Sequence, residues 1–82
     1  MLTIKVLGPG CANCRKLEQL AHQASELLGI ESEVIKVTDM KEIMAYDILK
    51  TPGLVINEKL VSSGHIPTVQ AIGEWIKAAT RE

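Results

Sequence analysis

The spacing of apolar positions changes along the chain, and each change marks an element. Leu2 to Leu7 (LTIKVL) is a short run rich in β-branched residues and predicts a strand, stopped by Gly8, Pro9 and Gly10, which do not easily continue a ladder. From Cys11 onward Cys14, Leu17, Leu20, Ala21, Ala24, Leu27 and Leu28 recur at helical spacing, and Gly29 supplies the stop. Ser32 to Val37 (SEVIKV) is too short and too branched to prefer a helix and reads as a second strand, so a right-handed parallel crossover joins the two strands.

Asp39, followed by Glu42, is a plausible N-cap for a second helix whose inner face carries Met40, Ile43, Met44 and Ile48, ending at Lys50 and Thr51 ahead of Pro52. The apolar runs Leu54 to Ile56 and Leu60 to Ser62 flank Asn57-Glu58-Lys59 and predict an antiparallel hairpin. Glu58 suits a two-residue turn less well than glycine, so a slightly longer loop is the other option there. Pro67 is placed at the first position of a last helix, with Val69, Ile72, Ile76 and Ala79 facing inward. The order βαβ-α-ββ-α describes an α/β fold, a small mixed sheet with helices on both faces.

Composition limits what such a domain does. Eighty-two residues make one core and one domain, residues 1–82, and 46% hydrophobic with 23% charged residues suits a compact fold. Aromatics amount to 2%, Trp75 and Tyr46, so no row of rings is available for stacking bases. The net charge of −1, with Lys and Arg scattered, offers no basic stripe for nucleic acid or an anionic membrane. MLTIKVLGPG lacks the apolar stretch and cleavage site of a secretory signal, and a cytoplasmic protein is expected.

The two cysteines, Cys11 and Cys14, are the only ones in the chain and stand at a strand end and a helix start. Backbone N–H groups and the helix dipole at such a place favour a thiolate. Apolar packing requires neither this spacing nor this position, so redox use is the stronger reading. Cys11, at the exposed end of the turn, is the attacking thiol, and Cys14, on the apolar stripe, the resolving one. Arg15 follows directly and is a candidate for tuning the thiolate, as is Lys5, which sits mid-strand and needs a partner or a route to solvent. His22 and His65 are read as structural, and Trp75 as core.

With these residues in view, the chain resembles the minimal thioredoxin fold, specifically the short thioredoxin-like and glutaredoxin-like redox-active disulfide proteins. The resemblance rests on GCANC at the first strand-to-helix turn, on KTPGLVIN before the third strand, and on SSG after the fourth. It implies a four-stranded sheet of order 2-1-3-4, with the first and last helices on one face and the second on the other. It also implies a cis Pro52 against the cysteine pair and a Thr51 backbone that pairs with substrate, with Gly10 and Gly64 bordering the same site. The implied activity is that of a protein disulfide reductase with no cofactor. The expected partners are disulfide-containing proteins and a dithiol reductase system, and a monomer is expected. Ala12-Asn13 replaces the Gly-Pro common between the cysteines of thioredoxins, and Lys5 replaces the acidic residue they bury on the first strand. The alternative is a soft-metal module, since GCANC also resembles the loop of heavy-metal-associated domains. Those domains end in a strand and usually place methionine where Pro9 stands here.

Overall fold

A computed structural model describes residues 2–10, 12–48 and 50–80. Strand β1 (Leu2–Leu7) leads into helix α1 (Ala12–Leu28), then β2 (Ser32–Val37), a short α2 (Met40–Met44), β3 (Gly53–Ile56), β4 (Lys59–Ser63) and α3 (Val69–Thr80). The strands form one sheet in the order β2-β1-β3-β4. β1 runs parallel to β2 and antiparallel to β3, and β3 runs antiparallel to β4.

Alternation along β1 divides the interior into two layers, because successive side chains on a strand point to opposite faces. Leu2, Ile4 and Val6 join Leu54 and Ile56 on one face, where Leu17, Ala21 and Ala24 of α1 and Ile72 and Ile76 of α3 cover them. Trp75 is half-buried against this cluster. On the other face Leu7, Val37 and Val55 meet Ile43 and Ile48, with Tyr46 packed alongside. The observed sheet and its two helical layers are the minimal thioredoxin-like architecture.

Several boundaries differ from the expectation. α2 stops at Met44 instead of continuing to Lys50, because the chain turns through Asp47 at a φ of +58°. Ile48 therefore reaches the core from the turn, while Met40 and Met44, expected inside, are exposed. The expected cap is present, with Asp39 Oδ1 accepting from the Lys41 N–H at 2.9 Å. Leu27, expected on the apolar stripe, is exposed, since α3 approaches α1 through Leu28 and the side-chain-free Gly73. Pro67 is not the first helical residue. Thr68 caps α3, its hydroxyl accepting from the Ala71 N–H at 3.1 Å, and Pro67 precedes the cap.

The hairpin turn has two residues, Asn57 and Glu58, between the paired Ile56 and Lys59. Both have positive φ, +49° and +68°, as the turn that follows strand twist demands. Asn57 is pinned to β1 in both directions: its N–H donates to the Thr3 carbonyl at 2.8 Å and its Oδ1 accepts from the Thr3 N–H at 3.1 Å.

Candidate functional site

The site is built where β1 gives way to α1. Gly8 extends the parallel ladder by one bond, its N–H donating to the Val37 carbonyl at 3.0 Å. Its lack of a side chain then matters, because a Cβ there would fall on Cys14 Sγ and lie 3.9 Å from Thr51 Cβ. The Gly8 backbone, the Cys14 thiol and Thr51 thus converge on one small volume. Cys14, in the first turn of α1, is only 6% exposed. Gly10 has a φ of +95°, a conformation that glycine adopts without steric cost, and open space lies where a side chain would stand. Cys11 lies outside the described residues.

Thr51 is exposed and Pro52 buried, and the peptide bond between them is cis. The Pro52 carbonyl accepts from the Gly64 N–H at 2.9 Å, which ties the end of β4 to the segment entering β3. Gly64, at a φ of +79°, sits against Lys50, whose Cβ would be 3.1 Å from an added Cβ. His65 is exposed; its Nδ1–H donates to the Ser63 carbonyl at 3.1 Å, leaving Nε2 to accept from the Ser62 hydroxyl at 3.4 Å. His22 is exposed on α1. Cys14, Thr51, Pro52, Gly10 and Gly64 are therefore gathered at one end of the sheet.

Arg15 is exposed beside Cys14, and the two line a cavity of about 400 Å³ together with Gly8, Gly10, Lys36 and Thr38. Lys5 is directed elsewhere. Its ammonium donates to the Tyr46 hydroxyl at 2.9 Å, pairs with Glu58, and lies 5.6 Å from the Tyr46 ring centroid. Ile4 pairs with Ile56 and Leu7 with Gly53, so the Glu58 turn is at the opposite end of the sheet from the α1 start. The Tyr46 hydroxyl in turn donates to Glu58 at 3.2 Å. Hydrogen bonds to Glu58 and then Tyr46 hold the Lys5 ammonium well above its ordinary pKa, and the bond from Lys5 lowers that of Glu58.

Sequence reasoning gave Gly8 and Lys36 no part in the site and did not join Tyr46 and Glu58 to Lys5. For Gly8 a signal was present: a glycine at a strand end beside a reactive residue marks a close approach of backbone.

A thioredoxin-domain family model matches residues 2–77. The chain belongs to the thioredoxin-domain family. A thioredoxin from Methanocaldococcus jannaschii is 37% identical over 78 residues, covering 95% of this chain and 90% of its own length. A thioredoxin from Methanothermobacter thermautotrophicus is 35% identical over 72 residues, covering 88% and 94%. In fold, the chain is similar to a solved thioredoxin-2 described as a component of the malaria parasite's protein secretion machinery. That similarity has a TM-score of 0.69 at 12% identity and covers 95% of this chain and 82% of the other. Among the described residues no helix is long and apolar enough to cross a membrane, and no three His, Cys, Asp or Glu side chains gather to hold a metal ion.

Proposed function

We propose that this protein is a thiol–disulfide oxidoreductase, a protein disulfide reductase working through Cys11 and Cys14. The observation that carries the reading is the Cys14 thiol, buried in the first turn of α1 and packed against the Gly8 backbone next to Thr51. That is where a resolving thiol belongs, shielded from outside disulfides but reachable by a bond formed at the neighbouring cysteine. In the reaction the Cys11 thiolate attacks one sulfur of the partner disulfide, a mixed disulfide forms, and the partner's other sulfur leaves as a thiolate. Cys14, deprotonated, then attacks the Cys11 sulfur, releasing the second partner thiol. Two electrons pass to the partner and a Cys11–Cys14 bridge remains, so the sulfurs carry the electron pair without a prosthetic group. Thr51 offers its backbone to the partner chain, with Gly10 and Gly64 bordering the same site. Membership of the thioredoxin-domain family supports the reading. The protein is proposed to act as a cytoplasmic monomer on disulfide-bearing proteins and to be renewed by a dithiol reductase.

Trapping tests the division of labour. Cys14→Ser keeps the attacking thiol and removes release, so partners accumulate as reducible covalent adducts visible on non-reducing gels. Cys11→Ser yields few. Equal adducts from both variants overturn the assignment, and tight binding of Cu(I) without any bridge between the two cysteines turns the reading to the soft-metal module.

A further inference from the structure

The sheet has an edge on each side, β2 and β4, and the two differ. β4 carries a register irregularity opposite Leu54 and Val55, and its Ser63 carbonyl already accepts from His65 Nδ1–H at 3.1 Å. β2 instead matches β1 residue for residue from Ser32 to Val37. Its ladder faces inward through the Glu31 carbonyl, which accepts from the Leu2 N–H at 3.2 Å, and the Val37 carbonyl, which accepts from the Gly8 N–H at 3.0 Å. Backbone groups alternate sides along a strand, so Glu33 and Ile35 face β1 as well, and the N–H and C=O groups of Ser32, Val34 and Lys36 point outward. Among the described residues no backbone bond is made on that outer side.

We infer that the β2 edge is a docking site for an extended segment of another protein, added antiparallel to the sheet, whose side chains run acidic, apolar, apolar, basic against Lys36, Ile35, Val34 and Glu33. The edge side chains define this occupant. Val34 is half-buried against the α1 and α3 layer and Ile35 against the α2 layer, so an added strand extends both layers when it is apolar at both middle positions. Glu33 and Lys36 are exposed on either side of that pair, and Lys36 approaches Glu18 of its own chain only to 3.9 Å. Opposite charges across a ladder attract and like charges repel, so the segment must answer a carboxylate at one end and an ammonium at the other. A second copy of this chain does not meet that requirement. Two β2 edges joined antiparallel by a two-fold axis keep their faces in common, so each residue meets only residues of its own face. Glu33 and Lys36 lie on opposite faces, and no register of such a pair sets one against the other. The charges thus guard the edge against self-pairing and admit a complementary strand. The first residues of that strand lie beside the bond from Gly8 to Val37, which holds the partner at the end of the sheet that carries Cys14. Docking here needs no redox step and stands apart from the oxidoreductase reading.

The test follows amide shifts and amide hydrogen exchange by NMR in the full, reduced, isotope-labelled chain with two capped peptides at millimolar concentration. Thr-Glu-Val-Val-Lys-Thr sets its acid against Lys36 and its base against Glu33. Thr-Lys-Val-Val-Glu-Thr has the same composition with the charges exchanged. The first peptide should slow exchange at Ser32, Val34 and Lys36 and leave Glu33, Ile35 and Val37, already bonded to β1, unchanged. The second should bind on the order of tenfold more weakly, because antiparallel it opposes like charges and parallel it forms the weaker ladder. Added salt should shrink the difference. Glu33→Lys should bring the two peptides close to equal affinity, and the milder Glu33→Gln should reduce the preference part-way. Equal binding of both peptides to the parent, binding of neither, or protection elsewhere than at the three outward amides overturns the proposal. Protection of those amides that rises with protein concentration in the absence of peptide overturns it in favour of a second copy.

Discussion

Replacing Gly8 with alanine adds one methyl group at a point already occupied by the Cys14 sulfur. The new Cβ would also lie 3.4 Å from Cys14 Cβ, close to ordinary contact, so the overlap is with the thiol itself. Gly8 and Cys14 are both buried, one held by its ladder bond to Val37 and the other by a helix turn, so relief turns the Cys14 thiol out of its present position or shifts α1 relative to β1. Overpacking of this kind costs about 1–3 kcal/mol. For a domain of this size that corresponds to a fall in Tm of roughly 5–20 °C. The displaced thiol should also slow disulfide exchange by at least about tenfold, since small misplacements of a reacting group carry large rate penalties. Gly53→Ala is the matched control. Its Cβ would meet the terminal Cδ1 of Ile48, which can turn aside, and it lies away from Cys14, so stability should fall less and exchange should persist. The assay is urea unfolding beside reduction of a model disulfide. Wild-type stability and exchange in Gly8→Ala would refute the close-contact argument.

Two further outcomes follow from the structure. Ile72 is fully buried between the sheet and α1, so Ile72→Ala should lower stability by about 2–5 kcal/mol, read as a lower urea midpoint; a loss under about 1 kcal/mol would mean the core relaxes around the gap. The Glu58 pKa is lowered in the folded state and that of Lys5 raised. Their pairing therefore stabilises the protein above the unfolded carboxylate value and below the unfolded lysine value. The stability difference between the parent and Glu58→Gln should be present near neutral pH. It should fade as acid protonates Glu58 and again as strong alkali removes the Lys5 proton, and a difference independent of pH would contradict the pairing.

The strands and the two long helices were legible because their signals are local. A period of two or 3.6 over a dozen residues survives whatever the rest of the chain does. The end of α2 was not legible: Ile48 continues a helical spacing and is buried, but it arrives through the turn at Asp47, which nothing in the pattern announces. Pro67 preceding a cap and Pro67 opening a helix look alike until the Thr68 hydroxyl is seen bonding to Ala71. In the candidate site, Cys14 was named because its residue type and its place at a helix start carry a narrow chemical role, whereas Thr51 and Pro52 were named through the family resemblance. The surroundings of Lys5 were hidden because its partner Tyr46 stands 41 residues away, and sequence offers no rule for such a meeting.

The sheet places the chain's single tryptophan and single tyrosine in different compartments, Trp75 with the α1 and α3 layer and Tyr46 with the α2 layer. Each layer thus carries its own optical reporter. Indole fluorescence follows the larger layer, and tyrosine absorbance follows the layer joined to the hairpin turn through Glu58. Coincident melting of the two signals would mean that the layers come apart as one cooperative unit. An earlier tyrosine transition would mark the five-residue α2 and its turn as a part that opens on its own, with β1, α1 and the buried Cys14 still in place.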